Sequence, residues 1–280
     1  MTETDARAAL TKRAAETGAR VALESFRGDL AVETKTGKTD LVTETDRTAQ
    51  QRVTETIHEE FSDDVIVGEE QIERPADDTS EGESDPQIDD GPQQVPEGEP
   101  SWVIDPIDGT SNFVRGLRIW GTSVTATVDG EAVAATTVLP ALSDTYVVGP
   151  DGVTRNDEPI GVSSQTDPET FAVVPVHLGA DSSAGQVVGV LTEHFGDFRR
   201  FGCSHATLAA VADGSIEVAL ATGLMSPWDT VGGVAMVRAA GGTVTDLAGE
   251  PWRHDSRVLV ASNGTRHDDV LAAVTRAIES

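Results

Sequence analysis

The order in which strand and helix patterns follow one another constrains the fold of this chain most. Residues 121–149 alternate apolar and polar side chains and turn at Asp129-Gly130, which predicts an antiparallel meander of about three strands. Further along, strand patterns alternate with helix patterns instead. A meander followed by alternation predicts two layered halves, an α+β half over 1–145 and an α/β half over 146–280.

Apolar spacing and turn residues predict the remaining elements. Helices are predicted over 3–26, 46–61, 182–195, 203–213, 227–240 and 265–279. A hairpin that turns at Gly37 is predicted within 29–46. Strands are predicted over 64–70, 101–105, 170–176, 197–202, 215–221, 242–247 and 256–262.

The charge of the chain excludes one class of partner. Acidic residues outnumber basic ones 48 to 20, which gives a net charge of −28. Nucleic-acid binding needs a basic patch, and the sequence has none, so we expect no nucleic-acid partner. A composition rich in acids and poor in lysine resembles that of salt-adapted archaeal cytoplasmic proteins, whose charges are screened by salt.

One segment differs from the rest of the chain. Residues 71–100 contain ten acids, one base and five prolines, and no aromatic residue. Such a segment cannot bury enough apolar surface to offset the entropy lost on ordering, so we predict a mobile acidic insertion. A substrate lid and a protein-docking arm are the alternatives for this segment.

Cysteine content and hydropathy bear on the compartment. Cys203 is the single cysteine, so no disulfide can form within the chain, and we expect it to be a small buried residue. The N-terminal residues lack the apolar region of a signal peptide, and no apolar run is long enough to span a membrane. We therefore expect a soluble cytoplasmic protein with no membrane partner.

The stretch "WVIDPIDGTSNF", residues 102–113, carries two aspartates three positions apart. Pro106 favours an extended Asp105 at the end of a strand, and we expect the chain to turn directly after it. Asp108 would then return beside Asp105, and Gly109 would allow close approach of a ligand. Paired carboxylates beside free N–H groups suit a divalent cation bridged to a phosphate, although a capped strand–turn–helix junction is the alternative.

Other acidic residues also lie at predicted strand or helix ends. Glu69 ends a predicted strand, while Asp46 and Asp229 begin predicted helices. Carboxylates without clustered His or Cys suit Mg²⁺ rather than zinc, and the six scattered histidines are expected to be structural or exposed. The spacing fits neither the D-x-[DN]-x-[DN]-G calcium loop nor the D-x-D pair of aspartyl-phosphate phosphatases.

Four segments taken in order carry a resemblance to a known family. "DLVTETD", "GEE", "WVIDPIDGTSNF" and "PWDTVGGVAMVRAAGG" resemble the motifs of the inositol monophosphatase family, which belongs to the magnesium-dependent, lithium-sensitive sugar-phosphatases. The resemblance runs from about residue 5 to residue 275 without the acidic insertion. It implies a layered αβαβα sandwich and a homodimer. It also implies hydrolysis of small polyol or sugar phosphate monoesters by metal-activated water.

The resemblance assigns roles to residues of this chain. It implies two or three Mg²⁺ ions, with Asp105 as the bridging ligand. The implied metal ligands are Glu69, Asp105, the Ile107 carbonyl, Asp108 and Asp229. Asp46 and Thr110 would orient the attacking water, with Glu69 also catalytic through its ion, and Lys35 would lie near the site. The implied substrate-binding residues are Gly109 and Thr110, whose N–H groups hold phosphate, together with Asp108, Gly202, Cys203, Ser204 and Asp229.

The sequence departs from the family on the side that binds the alcohol. Many relatives carry an acid several residues before "PWD" that binds a substrate hydroxyl, but Ala221 or Thr222 occupies that position here. Ser226 stands where many relatives have a basic residue. Fructose 1,6-bisphosphate and 3′-phosphoadenosine 5′-phosphate therefore remain alternatives to inositol 1-phosphate, and a catalytically silent metabolite-binding relative is the non-enzyme alternative.

Overall fold

The computed structural model describes residues 2–28, 32–34, 41–70, 94–178 and 184–279. Gly37, Lys35 and residues 71–93 of the predicted insertion lie outside the described residues. The helices within the described part are α1 (Glu3–Ser25), α2 (Glu44–His58), α3 (Thr110–Val114), α4 (Ala184–His194), α5 (Ser204–Ala212), α6 (Pro227–Ala239) and α7 (His267–Glu279). All of the helices predicted from the sequence are present, with ends shifted by a few residues.

The first sheet contains the predicted meander. Its strands are β3 (Val65–Gly68), β4 (Ser101–Asp108), β5 (Gly121–Val128), β6 (Glu131–Leu139), β7 (Asp144–Gly149), β8 (Gly152–Arg155) and β9 (Glu158–Pro159). Their order in the sheet follows the chain, and only the pair β3 and β4 is parallel. The turn between β5 and β6 uses positive φ at Asp129 and Gly130, as a tight hairpin requires. A separate hairpin pairs β1 (Val32–Thr34) with β2 (Leu41–Thr43).

The second sheet contains the alternating part of the chain. Its strands are β10 (Ala172–His177), β11 (Asp197–Phe198), β12 (Val218–Ala221), β13 (Thr243–Thr245) and β14 (Leu259–Ser262), in the order β11-β10-β12-β14-β13. β11, β10 and β12 run parallel, while β14 is antiparallel to β12 and β13. This mixed sheet matches the predicted change from a meander to alternation.

Helices cover both faces of both sheets. α1 and α2 pack on the outer face of the first sheet, and α4 and α7 pack on the outer face of the second. α5 and α6 lie between the sheets, where apolar side chains of both helices join the largest apolar cluster. The predicted layered αβαβα arrangement is therefore confirmed, and the middle layer brings α6 against β4.

The course of β4 differs from the prediction. The chain does not turn at Pro106, because β4 continues to Asp108 and all of its residues are buried. The pairing of β4 with β5 shifts register between Asp105 and Asp108. Proline has no N–H to donate and fits at such an irregularity, where its carbonyl accepts a 2.7 Å hydrogen bond from Thr122 Oγ1. The shift, rather than a turn, separates the two aspartates.

Two other boundaries also differ. The predicted insertion extends too far, because Val95 is buried in the core and Glu97 forms an ion pair with Arg253. The predicted strand over 197–202 is confined to β11, and β8 and β9 had no clear sequence signal. A domain boundary at 145/146 would cut β7, so the proposed division into halves is better drawn after Pro159.

Candidate active site

Asp105 lies at the centre of the acidic residues predicted from the sequence. It is 1% exposed on β4, and its Oδ1 has no hydrogen-bond partner among the described residues. Burial raises the pKa of Asp105 well above its ordinary value, and the charges of neighbouring carboxylates raise it further. These neighbours, in order of effect, are Glu69, Asp108, Asp229 and Asp46. We call the five carboxylates the acid cluster.

Local structure explains how each member of the acid cluster is presented. Glu69 directly follows β3, and its N–H donates to the Ile104 carbonyl at 3.1 Å, which continues the parallel pairing with β4. Asp46 lies in the first turn of α2 and Asp229 in the first turn of α6. Acidic side chains are favoured there by the helix dipole, and Pro227 suits the first position of α6.

Asp46 and Thr110 are neighbours, as predicted. Asp46 Oδ2 accepts hydrogen bonds from the Thr43 N–H at 2.9 Å and from Thr43 Oγ1 at 2.6 Å, which fixes the carboxylate at the start of α2. Thr110 Oγ1 lies 3.5 Å from Asp46 Oδ1 and 3.0 Å from the Ile107 carbonyl. Because a hydroxyl has one hydrogen to donate, the Ile107 carbonyl is the better acceptor in this structure.

Asp108 binds the start of α5. Its two oxygens accept hydrogen bonds from the Ser204 N–H at 3.0 Å, the His205 N–H at 2.6 Å and the Cys203 thiol at 3.0 Å. Burial, and then the charge of Asp108, raises the pKa of Cys203, so the thiol stays protonated and donates. The predicted substrate-binding segment 202–204 is therefore joined to β4 through Asp108, and Cys203 is buried as predicted.

Two glycines and an asparagine hold the segment before α5 against the end of β4. Gly109 and Gly202 both have positive φ, and a Cβ on Gly109 would lie 3.0 Å from the Gly202 carbonyl. Asn112 Nδ2 donates to the carbonyls of Ile119 at 2.7 Å and Phe201 at 2.8 Å. The Gly202 carbonyl oxygen lies 3.2 Å from the same nitrogen. Sequence reasoning missed Asn112, although it lies within the "WVIDPIDGTSNF" stretch.

Sequence reasoning also missed His205. Its side chain is fully buried, and ligand atoms of Asp105, Asp108 and His205 lie within 4.8 Å of one another. The sequence predicts only that the histidines are structural or exposed, and it does not indicate that His205 lies beside Asp105 and Asp108. Its position directly after Ser204, in the segment that resembles the substrate-binding motif, was the signal available.

Gln50 supports the second glutamate of "GEE". Gln50 Oε1 accepts from the Glu70 N–H at 2.8 Å, and Gln50 Nε2 donates to the Glu70 carbonyl. A Cβ on Gly68 would collide with this amide, so a larger residue at position 68 would displace the Gln50 side chain from Glu70. Gln50 thereby holds the backbone of Glu70, the residue directly after Glu69.

The segment that the family resemblance assigns to the alcohol carries no carboxylate. We call residues 221–226, from the last residue of β12 to the start of α6, the alcohol-side segment; they include no acidic residue. The Thr222 N–H donates to the His177 carbonyl at 3.0 Å, which places the ends of β12 and β10 side by side. Burial, and then the charge of Arg200, lowers the pKa of His177.

Comparison with known protein families identifies the family of this chain. The sequence model of the inositol monophosphatase family matches residues 3–280. The chain belongs to the inositol monophosphatase family. It is therefore a phosphatase that hydrolyses phosphate monoesters, as the members of this family are.

Individual inositol monophosphatase relatives agree with this assignment. The Thermotoga maritima protein named fructose-1,6-bisphosphatase/inositol-1-monophosphatase is 31% identical over 253 residues, which cover 89% of this chain and 88% of that protein. The structure of a Thermotoga maritima IMPase matches with a TM-score of 0.81 and 29% identity, over 100% of this chain and 99% of that one. An IMPase/NADP phosphatase complexed with Mg²⁺ and phosphate shares the fold, with a TM-score of 0.72 and 20% identity over 88% and 86% of the two chains.

Among the described residues, none of the helices combines the length and the apolar character that crossing a bilayer requires.

Proposed function

We propose that this phosphatase hydrolyses small polyol or sugar phosphates with Mg²⁺ held by the acid cluster. The observation that carries the proposal is the environment of Asp105, a buried carboxylate with an unbonded oxygen and four further carboxylates acting on it. Neighbouring carboxylates repel one another, and a bound divalent cation offsets that repulsion. The proposed ligands are Glu69, Asp105, the Ile107 carbonyl, Asp108 and Asp229.

The chemistry of these donors fits Mg²⁺. All five are oxygen atoms, which hard cations prefer, and the unbonded Asp105 Oδ1 is available as a ligand. A bound Mg²⁺ would lower the pKa of a water and neutralise the phosphoryl oxygens and leaving alkoxide. Two or three ions are proposed from the family resemblance, with Asp105 shared between ions.

The proposed roles of the remaining residues follow from their contacts. Asp46 is held by Thr43 and would orient the attacking water together with Thr110. A cation on the Ile107 carbonyl would compete for the lone pairs that Thr110 now uses, which favours Asp46 as the acceptor of the hydroxyl. The N–H groups of Gly109 and Thr110 are proposed to hold the phosphate.

Segment 202–204 is proposed to face the substrate. Asp108 ties Cys203 and Ser204 to β4, so a group bound at the acid cluster would meet this segment. Asp108 and Asp229 are proposed to contact the substrate as well as the second ion. The buried, protonated thiol of Cys203 argues against a covalent cysteine mechanism.

Inositol 1-phosphate is the leading substrate, but the alcohol-side segment keeps others open. It has no carboxylate to accept a substrate hydroxyl at Ala221 or Thr222. Fructose 1,6-bisphosphate is a second candidate, because the Thermotoga maritima relative is named for both activities. 3′-Phosphoadenosine 5′-phosphate is the third. The complete set of proposed ligands argues against a catalytically silent relative.

The test combines a substrate screen with one substitution. Phosphate release is measured from inositol 1-phosphate, fructose 1,6-bisphosphate, glycerol phosphates and nucleotide phosphates in high salt, with Mg²⁺ or with EDTA. We expect Mg²⁺-dependent release that Asp105→Asn abolishes, about 10³-fold or more, while the variant stays folded. Activity that survives in Asp105→Asn, or in EDTA, would disprove the metal assignment.

We also propose a homodimer in a salt-rich cytoplasm. The family resemblance supports the dimer, and Leu117 and Leu142 are large apolar side chains, 53% and 39% exposed, that could be covered by a second copy. The net charge of −28 supports adaptation to salt. Light scattering at high KCl tests the dimer. We expect a mass of two chains, and a mass of one chain would disprove the dimer.

A further inference from the structure

We propose that His205 is a positioning residue that sets the spacing of Asp108 and Asp229, and through it the cation affinity of the acid cluster. The inference rests on the proposed function, because it assumes that these two aspartates share an ion. It assigns a role to a residue outside the carboxylate set.

The first half of the argument is the backbone of His205. Its N–H donates to Asp108 Oδ2 at 2.6 Å, beside the bond from the Ser204 N–H to the other oxygen. Asp108 is thereby fixed against the start of α5. This bond is made by the main chain and survives any side-chain substitution at position 205 except proline.

The second half is the imidazole. His205 Nε2 lies 2.7 Å from the carbonyl oxygen of Trp228, the residue directly before Asp229. A carbonyl can only accept, so Nε2 carries the hydrogen of this bond. One residue therefore contacts Asp108 through its main chain and the start of α6 through its side chain, which ties the two aspartates to a common support.

A further polar contact lies at the other ring nitrogen. Thr137 Oγ1 lies 3.5 Å from His205 Nδ1, which as the unprotonated nitrogen can only accept, and 3.3 Å from Ser123 Oγ, so its one hydrogen serves either acceptor. Ser123 is the cross-strand partner of Asp105 on β5, so this polar chain leads back to the centre of the acid cluster. The ring is fully buried, so solvent cannot replace these partners.

The same contacts favour positioning over direct coordination. The ring comes within 4.8 Å of ligand oxygens of Asp105 and Asp108, close enough to be considered a ligand. Nε2 is committed to Trp228 as a donor, and a protonated nitrogen has no lone pair for a metal. Nδ1 faces the hydroxyl of Thr137. Partners that orient metal-binding groups typically change metal affinity about 10–100-fold when they are removed.

Packing on α6 is matched to the ring. A Cβ on Gly232 would lie 3.5 Å from His205 Cε1 and would press against Thr125 Oγ1. Glycine at 232 thus lets α6 approach β5 and the imidazole together. The imidazole spans the gap between α5 and α6 that a smaller side chain at 205 would leave open.

The test measures metal binding directly, with Mn²⁺ as an EPR-visible substitute for Mg²⁺. Wild type, His205→Ala, His205→Gln and Asp105→Asn are titrated, and free Mn²⁺ is read from its EPR signal. We expect His205→Ala to bind at least one ion about 10–100-fold more weakly. His205→Gln should recover part of the loss, because its amide can donate to the Trp228 carbonyl.

His267 provides a matched control. It is a half-buried histidine on α7 whose two nitrogens also have partners, Thr245 Oγ1 at 2.9 Å and Ser262 Oγ at 2.8 Å. His267→Ala should lower the melting temperature and leave Mn²⁺ affinity unchanged within twofold. A weakening of Mn²⁺ binding in His267→Ala as large as in His205→Ala would mean general destabilisation and would overturn the inference.

The remaining outcomes separate the inference from the proposed function. If wild type binds no Mn²⁺, or Asp105→Asn binds it equally well, the proposed metal site itself fails. If Asp105→Asn loses binding but His205→Ala does not, only the role of His205 fails. A directly coordinated ¹⁴N in the electron spin-echo spectrum of the wild-type Mn²⁺ complex would make His205 a ligand and also overturn its positioning role.

Discussion

The acid cluster and the alcohol-side segment are built differently. Asp105 and Asp108 lie in β4, Glu69 directly follows β3, and Asp46 and Asp229 lie in the first turns of helices. Hydrogen bonds from α5, Thr43 and Gln50 hold the surroundings of the cluster. The alcohol-side segment is a connection between β12 and α6, with Leu224 64% exposed and no carboxylate. This difference fits the proposed roles, in which the acid cluster determines how a phosphate is attacked and the loop varies with the molecule that carries the phosphate.

The largest effect should come from the water-orienting pair. Asp46→Asn keeps the volume of the side chain but removes its charge, so the attacking water loses its proposed orienting acceptor. We expect kcat to fall about 10³-fold, within the range for general acid–base groups. Steady-state phosphate release at saturating Mg²⁺ measures this.

Thr43→Ala is the control for that substitution. It removes the hydroxyl that donates to Asp46 Oδ2 but keeps the charge and the bond from the Thr43 N–H. We expect a loss of helix-cap stability of about 1 kcal/mol and a much smaller fall in kcat. Equal losses in the two variants would mean that Asp46 acts only through the cap.

A second prediction concerns the asparagine that holds segment 202–204. Asn112→Ala leaves the carbonyls of Ile119 and Phe201 without their donor. We expect about 2 kcal/mol of lost stability and a fall in kcat/KM of about 10- to 100-fold. Chemical denaturation and phosphate release measure the two effects.

Asn263→Ala is the matched control for Asn112. Asn263 is buried directly after β14, and its Nδ2 donates to the Gln165 carbonyl at 2.9 Å. The control should lose comparable stability and keep its kcat/KM. If Asn112→Ala loses stability but keeps full activity, segment 202–204 does not contribute to the site as proposed.

The third prediction tests the alcohol-side segment. Thr222→Glu restores a carboxylate near the position where many relatives carry one. Hydrogen bonds to charged groups contribute about 1.5–3 kcal/mol, so we expect the ratio of kcat/KM for inositol 1-phosphate over fructose 1,6-bisphosphate to rise about tenfold. Thr222→Gln, which is similar in size but neutral, should change this ratio less. An unchanged ratio in Thr222→Glu would remove the segment from substrate selection.

The smallest effect is a pH dependence of the metal-free protein. Burial raises the pKa of Asp105 in the folded state above its unfolded value of about 3.9. Between these two pKa values the folded protein binds more protons than the unfolded one, so stability must fall as pH rises. We expect the melting temperature in EDTA to decrease by a few degrees from about pH 5 upward.

Mg²⁺ should reverse this trend, since it binds the charged carboxylates and stabilises the folded state. The increase in melting temperature on adding Mg²⁺ should therefore grow as pH rises. Asp105→Asn should flatten the pH dependence in EDTA. A melting temperature in EDTA that rises over this range in wild type would contradict a raised pKa of Asp105 in the folded protein.

The sequence predicted the layers and the acid cluster better than it predicted the supports. Apolar spacing and the motif residues led to α2, α6 and the carboxylates, because these signals are local. The register shift in β4 was missed, because it depends on pairing with β5. Asn112 and His205 were missed for the same reason, since their partners Phe201 and Trp228 are distant in sequence or on another helix.

The acid cluster combines residues that are far apart in the sequence, from Asp46 on α2 to Asp229 on α6. During synthesis, α6 leaves the ribosome long after β4, so the nascent chain lacks one of the proposed ligands until most of it has emerged. No fragment that ends before Asp229 should therefore release phosphate. Magnesium held by residues of both β4 and α6 would then stabilise the middle layer of the sandwich only after most of the chain has been synthesised.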